Sequence, residues 1–147
     1  MNRDQSFHPL IGEVYWMRFD GNGSEMSGTF PGVVFQNNVG NAFSPCIVAL
    51  PLCRNRKTQH LPTHVEVSAE KSGLRHDSVV LAESPRTIDK TYVGNYITKL
   101  PDETMKNVAV ASLLASSCIA YLDEEMIRNT FAEARRLNED SMGSSPC

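Results

Sequence analysis

The sequence contains no apolar run approaching the ~18 residues that a membrane-spanning helix needs, so no membrane segment is predicted. It has no surplus of positive charge either: 14 Lys and Arg stand against 17 Asp and Glu, a net charge of −3. Nothing in the overall charge therefore advertises nucleic-acid binding. A local basic strip still acts over a Debye length of ~8–10 Å. The four cysteines, Cys46, Cys53, Cys118 and Cys147, form no CxxC pair, and no histidine lies at zinc-finger spacing. That argues against a disulfide framework and against a structural metal site. The expectation is a cytoplasmic chain with reduced thiols, no metal and no small-molecule cofactor. Met1 to Ser6 is polar and lacks the apolar core of a secretory signal.

What is present is a chain of 147 residues with eight Pro and nine Gly spread along it. This length suits one domain, or one domain with an appendage. Residues 1–11 read as a polar leader. Glu13-Val14-Tyr15-Trp16-Met17-Arg18-Phe19 is rich in aromatic and branched residues and predicts a strand. Asp20-Gly21-Asn22-Gly23-Ser24 is a turn cluster, with Gly28 extending the loop. Further strands are predicted at Val33–Gln36, Ile47–Leu52, Thr63–Val67, Ser78–Ala82 and Tyr96–Thr98, with loop chemistry at Asn37–Asn41 between the first two. Pro51 cannot donate to a ladder and is expected at an edge or a bulge. Short strands separated by frequent turns predict a small barrel or sandwich.

The pattern changes at Leu100-Pro101. Pro101 at the first helical position and Asp102-Glu103 in the first turn predict a helix, with Met105, Val108, Ala109, Ser112 and Leu113 on one face. A second helix is predicted from Asp123 as N-cap, with Ile127, Phe131, Ala134 and Leu137 along one side. The organisation expected is a domain over 12–117, an appended helix over 118–140 and a disordered tail over 141–147.

Seven segments, taken in order, resemble the MazF/PemK toxin family: Gly12–Trp16, Gly23–Gly28, Pro31–Val34, Leu61–Val67, Ser78–Leu81, Pro85–Lys90 and Ile97–Leu100. Each is weak alone; their order and spacing carry the resemblance, over about residues 11–117. It implies a mainly β chain with C-terminal helices, built on a small SH3-like β-barrel of the MazF/PemK/CcdB type. It also implies a metal-independent endoribonuclease that cleaves single-stranded RNA, a homodimer with RNA bound across its interface, and a cognate antitoxin peptide that folds into the same groove.

Metal-free RNA cleavage uses the 2′-hydroxyl as nucleophile on the adjacent phosphorus. It needs a proton acceptor, a proton donor for the leaving 5′-oxygen, and stabilisation of the extra negative charge. The resemblance places an Arg before the Pro that follows the Gly-Ser-Glu loop, and a Thr at the end of the third main strand. Here those positions hold Phe30 and Cys53. Losing such a phosphate donor costs on the order of 3 kcal/mol of transition-state stabilisation, about a hundred- to a thousandfold in rate. Cys53 keeps a small side chain with a weak S–H donor, though packing is the more common use of such a thiol.

The remaining candidates each have two readings. Glu25, after Ser24 in the first loop, is a proton acceptor for the 2′-hydroxyl or a carboxylate that organises the loop. Glu83 aligns with a position where some members place a catalytic Asp; its alternative is a strand-end ion pair. Arg54, Arg56 and Lys57 follow Cys53 and offer positive charge to RNA, or form a solvated loop. Arg86 is expected to anchor a turn and the dimer interface. His64, on an alternating strand, is structural or lines the groove. Phe30, beside Pro31, is expected to be exposed and to offer a base-stacking surface. A non-cleaving relative that binds RNA or an antitoxin-like peptide is the competing function.

Overall fold

The computed structural model describes residues 7–54 and 61–143, with side chains as far as residue 139. Seven strands form one antiparallel sheet: β1 (Glu13–Phe19), β2 (Gly28–Val34), β3 (Cys46–Arg54), β4 (His64–Val67), β5 (Ser78–Leu81), β6 (Arg86–Asp89) and β7 (Val93–Lys99). The order is β4-β5-β3-β2-β1-β7, and β6 pairs with β3. The class is mainly β, as expected, but among the described residues the order runs from β4 to β7 without closing into a barrel.

Strand alternation divides the core in two. Adjacent residues of a strand point to opposite faces. Val14, Val33, Leu50, Leu52 and Val80 lie in one apolar cluster; Tyr15, Met17, Phe19, Val34, Ile47 and Ala49 lie in the other. Each fully buried side chain of this size contributes about 1.5–3 kcal/mol. Gly32 is required at its place on β2: a Cβ there would stand 2.7 Å from Met17 Sδ and 3.0 Å from Phe19 Cζ. Pro51 is not on an outer strand. It pairs with Gly32 on one edge of β3, while on the other edge the partner changes from β6, ending opposite Ala49, to β5, starting opposite Leu52. The proline falls in that change of partner, where a missing donor interrupts no ladder.

The described residues also form four α-helices, α1 (Asn38–Phe43), α2 (Ala69–Ser72), α3 (Asp102–Ser116) and α4 (Glu124–Gly143), with short 3-10 turns at Lys90–Tyr92 and Cys118–Tyr121. α1 lies where loop chemistry was expected. The Asn37 side chain accepts Gly40 N–H at 2.9 Å and caps it, while Asn38 and Asn41 turn inward. Asn38 Oδ1 accepts Ile11 N–H at 2.8 Å, and Asn41 Nδ2 donates to Gln36 O at 2.9 Å. Polar residues that read as solvated are buried here because each serves a backbone group.

Pro101 occupies the N-cap of α3 rather than its first helical position. The covered stripe of α3 is Met105, Val108 and Ala111; Ala109 and Leu113 are exposed, so the face differs from the expected one. Asp123 caps α4 as expected, with Oδ1 accepting Met126 N–H at 2.9 Å. α4 packs on α1 through its last turns, where Asn138 Oδ1 accepts Asn38 N–H at 3.1 Å. No described helix is long and apolar enough to cross a membrane.

Candidate active site

The loop between β1 and β2 is held from within and from β6. Asn22 N–H donates to Glu25 Oε2 at 3.0 Å, and Glu25 N–H donates to Asn22 O at 3.2 Å. Gly21 admits this turn, since a Cβ there would stand 2.7 Å from Met26 O and 2.8 Å from Glu25 O. Arg86 reaches across from the start of β6. Its Nη2 donates to Asp20 O at 2.6 Å and to Met26 O at 3.2 Å, and lies 3.8 Å from Glu25 Oε2. The Arg86 side chain is 12% exposed and that of Glu25 is 55% exposed. Arg86 therefore anchors the turn, while Glu25 both organises the loop and presents its carboxylate to solvent. Ser24 is exposed at the tip of the same loop.

Phe30 is not the exposed loop residue expected from its position beside Pro31. It lies within β2, opposite Met17, half-buried, with its ring centroid 6.4 Å from that of Phe19. The Arg86 guanidinium carbon in turn stands 5.9 Å from the centre of the Phe19 ring. Phe19 thus links Phe30 to the guanidinium of Arg86. Cys53 lies on β3 opposite Val79, half-buried. The β2–β3 register pairs Gly32 with Pro51. That pairing ends there, and β3 continues against β5, starting opposite Leu52.

A second group sits at the start of β4. His64 Nε2 is 2.9 Å from Glu83 Oε1, and Thr63 Oγ1 donates to Glu83 Oε2 at 3.0 Å. Leu61 N–H donates to His64 Nδ1 at 3.3 Å, which assigns the proton of the neutral ring to Nε2, where it faces the carboxylate. The side chains of His64 and Glu83 are 17% and 31% exposed. Both nitrogens of His64 are engaged, and both oxygens of Glu83. This arrangement ties the β3–β4 connection to the β5–β6 turn. Arg54 ends β3 opposite Ser78 and is exposed. Arg56 and Lys57 lie outside the described residues.

The sequence candidates therefore separate into a loop group of Ser24, Glu25 and Arg86, two separate strand positions, Phe30 opposite Met17 and Cys53 opposite Val79, and a clasp of His64 and Glu83. Phe19, expected from the sequence as a core or base-stacking aromatic, is buried and joins Arg86 to Phe30, while sequence reasoning missed Thr63, which completes the clasp. Thr63 stood in the Leu61–Val67 segment, but nothing local named its partner. Among the described residues no group of three or more His, Cys, Asp or Glu side chains is placed to hold a metal ion.

A model of the PemK-like, MazF-like toxins of type II toxin-antitoxin systems matches residues 11–114. The endoribonuclease EndoA of Bacillus subtilis (strain 168) is 40% identical over 99 residues, 67% of this chain and 85% of its own length. Among solved structures, an endoribonuclease in complex with its cognate antitoxin, from a mycobacterial species, is 25% identical. That match covers 75% of this chain and 96% of the other, with a TM-score of 0.61. MazF from Deinococcus radiodurans shares the fold at 20% identity and a TM-score of 0.66, over 76% of this chain and 98% of its own. By the extent of the family match and its identity to a curated relative, the chain belongs to the PemK-like, MazF-like toxins of type II toxin-antitoxin systems.

Proposed function

We propose that this chain is the cytoplasmic toxin of a toxin-antitoxin pair and cleaves single-stranded RNA without a metal ion. Glu25 is the proton acceptor. The 2′-oxygen attacks the adjacent phosphorus as its proton passes to Glu25, and the P–O5′ bond breaks. The leaving oxygen is protonated from water, giving a 2′,3′-cyclic phosphate and a 5′-hydroxyl. The observation that carries this reading is the exposed Glu25 carboxylate on a loop that Arg86 holds at two carbonyls. A fixed loop presents its acceptor without reorganisation, which is what proximity catalysis requires. Ser24 and Arg54, with Arg56 and Lys57, form the RNA-contacting rim. The chain acts as a homodimer, with RNA and the antitoxin peptide competing for one groove. Residues 12–117 carry this activity and 118–140 are an appendage.

A second reading, an RNA- or antitoxin-binding relative that does not cleave, is favoured by the packing of Phe30 against Phe19 where a charged donor is expected. One experiment separates the two. Long single-stranded RNA is incubated with the chain in EDTA. Cleavage that leaves cyclic-phosphate ends and is lost in Glu25→Ala supports the first reading. Intact RNA that is nonetheless retained by the protein, and is cut only after Phe30→Arg with Cys53→Thr, supports the second.

A further inference from the structure

Two stretches lie outside the family match of residues 11–114: the leader that precedes it, and α4. Both are tied to one residue of α1. Asn38 Oδ1 accepts Ile11 N–H at 2.8 Å, where the leader joins the sheet. Asn38 N–H donates to Asn138 Oδ1 at 3.1 Å, in the last turns of α4. Asn38 itself is buried.

The leader is docked on the sheet. Leu10 N–H donates to Glu13 Oε1 at 2.5 Å, and Pro9 is buried. Phe7 meets the Tyr15 ring edge-on, with centroids 5.8 Å apart, and Tyr15 stands 5.6 Å from Tyr96. α4 is held by far less. Its side chains are exposed over 124–136, and of those described only Leu137 and Asn138 are half-buried.

α1 does not stand by itself. It has six residues, and a helix shorter than about 12 residues is marginal in water without outside contacts. Asn41 weakens it further. Its Oδ1 is buried with no hydrogen-bond partner among the described residues, and it gains one from water when α1 loosens. The leader and α4 each rest on this marginal helix and each support it. Whichever docks first orders the seat of the other, so the two are coupled.

We infer that α1 is a latch that joins the leader and α4 into one two-state unit, docked together or loosened together. When α4 lifts from Asn38, α1 frays, Ile11 N–H loses its acceptor, and Phe7 comes away from Tyr15. Displacing α4 thus uncovers an aromatic surface near the start of β1, at the other end of the strand from the loop of Glu25. This goes beyond the proposed cleavage reaction and does not rest on it.

The test is native-state amide exchange of the full-length chain in low concentrations of denaturant. The N–H groups of Ile11, Asn38, Asn41 and Ser44 donate to Asn38 Oδ1, Asn138 Oδ1, Asn37 O and Gly40 O. They are expected to open with one protection factor and one denaturant slope, below those of the strand core. Asn138→Ala removes an acceptor of α4 and is expected to speed exchange at Ile11 by about three- to tenfold, the worth of one neutral hydrogen bond. The β3–β5 ladder is expected to stay as it is. Phe7→Ala is expected to speed exchange at Asn38 by a similar factor, because coupling acts equally in both directions. Protection in the native chain that differs among the four groups, or that equals the strand core's, overturns the inference. So does exchange at Ile11 that Asn138→Ala leaves unchanged, or an acceleration shared equally by the β3–β5 ladder.

Discussion

His64 Nε2 stands 2.9 Å from Glu83 Oε1, and the same carboxylate accepts Thr63 Oγ1–H at 3.0 Å. The pair bridges 19 positions and fastens the start of β4 to the turn after β5. Glu83→Ala leaves the Nε2–H without this acceptor. The expected cost is about 1–3 kcal/mol, the range for losing hydrogen bonds to a charged group. It is read as a lower Tm with faster amide exchange near Leu61 and Ala82. RNA cleavage per folded molecule is expected to stay close to native. A rate reduced by orders of magnitude at unchanged Tm would instead put Glu83 on the substrate.

The positions of Phe30 and Cys53 give a prediction in both directions. Phe30→Arg alone withdraws a ring from its contact with Phe19 and is expected to lower stability by about 1–2 kcal/mol in chemical denaturation. Combined with Cys53→Thr, it installs the Arg and Thr that the family resemblance places there. Cleavage of single-stranded RNA is then expected to accelerate by about 10²–10³, the usual worth of one preorganised donor. A double variant that folds but cuts no faster than native would show that neither position faces the scissile phosphate.

Arg86 holds the β1–β2 loop by two carbonyls from a side chain that is 12% exposed. Lys in its place keeps the charge but loses the planar fork. Arg86→Lys is expected to destabilise by about 1.5–3 kcal/mol and to raise amide exchange across residues 20–27. Exchange there that matches native would mean the loop holds itself through Asn22 and Glu25.

Asp89 supplies a pH dependence. Its Oδ1 accepts Thr91 N–H at 2.9 Å and Thr91 Oγ1–H at 2.8 Å. The backbone bond first and the side-chain bond second hold its pKa below the ordinary value of 3.8. The folded state therefore binds this proton more weakly than the unfolded chain. The contribution is complete above the unfolded pKa and is lost as pH falls through the folded one. Asp89→Ala is expected to flatten the acid limb of a Tm–pH profile below about pH 4. An acid limb of native steepness would deny the carboxylate this role.

What could be read from the chain beforehand follows the range of the interactions involved. β1 was legible because Glu13–Phe19 advertises itself by residue type, and the start of α4 because Asp123 bonds three residues ahead. α1 was hidden: Asn37, Asn38 and Asn41 look like loop residues until their buried partners are known. Phe30 was misjudged because Pro31 suggests a turn, whereas β2 runs through it opposite Trp16. The acidic and basic candidates were found by type, but their partners were not. The bonds of Arg86 to Met26 O and Asp20 O span 60 and 66 positions, and no local pattern encodes a contact of that length.

Asn38 donates its peptide N–H to Asn138 Oδ1, 100 positions away. Contacts of such separation form late, after the loop they close has already been shortened by other structure. As the polypeptide leaves the ribosome, the strands through Lys99 emerge first and α4 last. The nascent protein thus carries every strand of its candidate site before its final helix finds a seat.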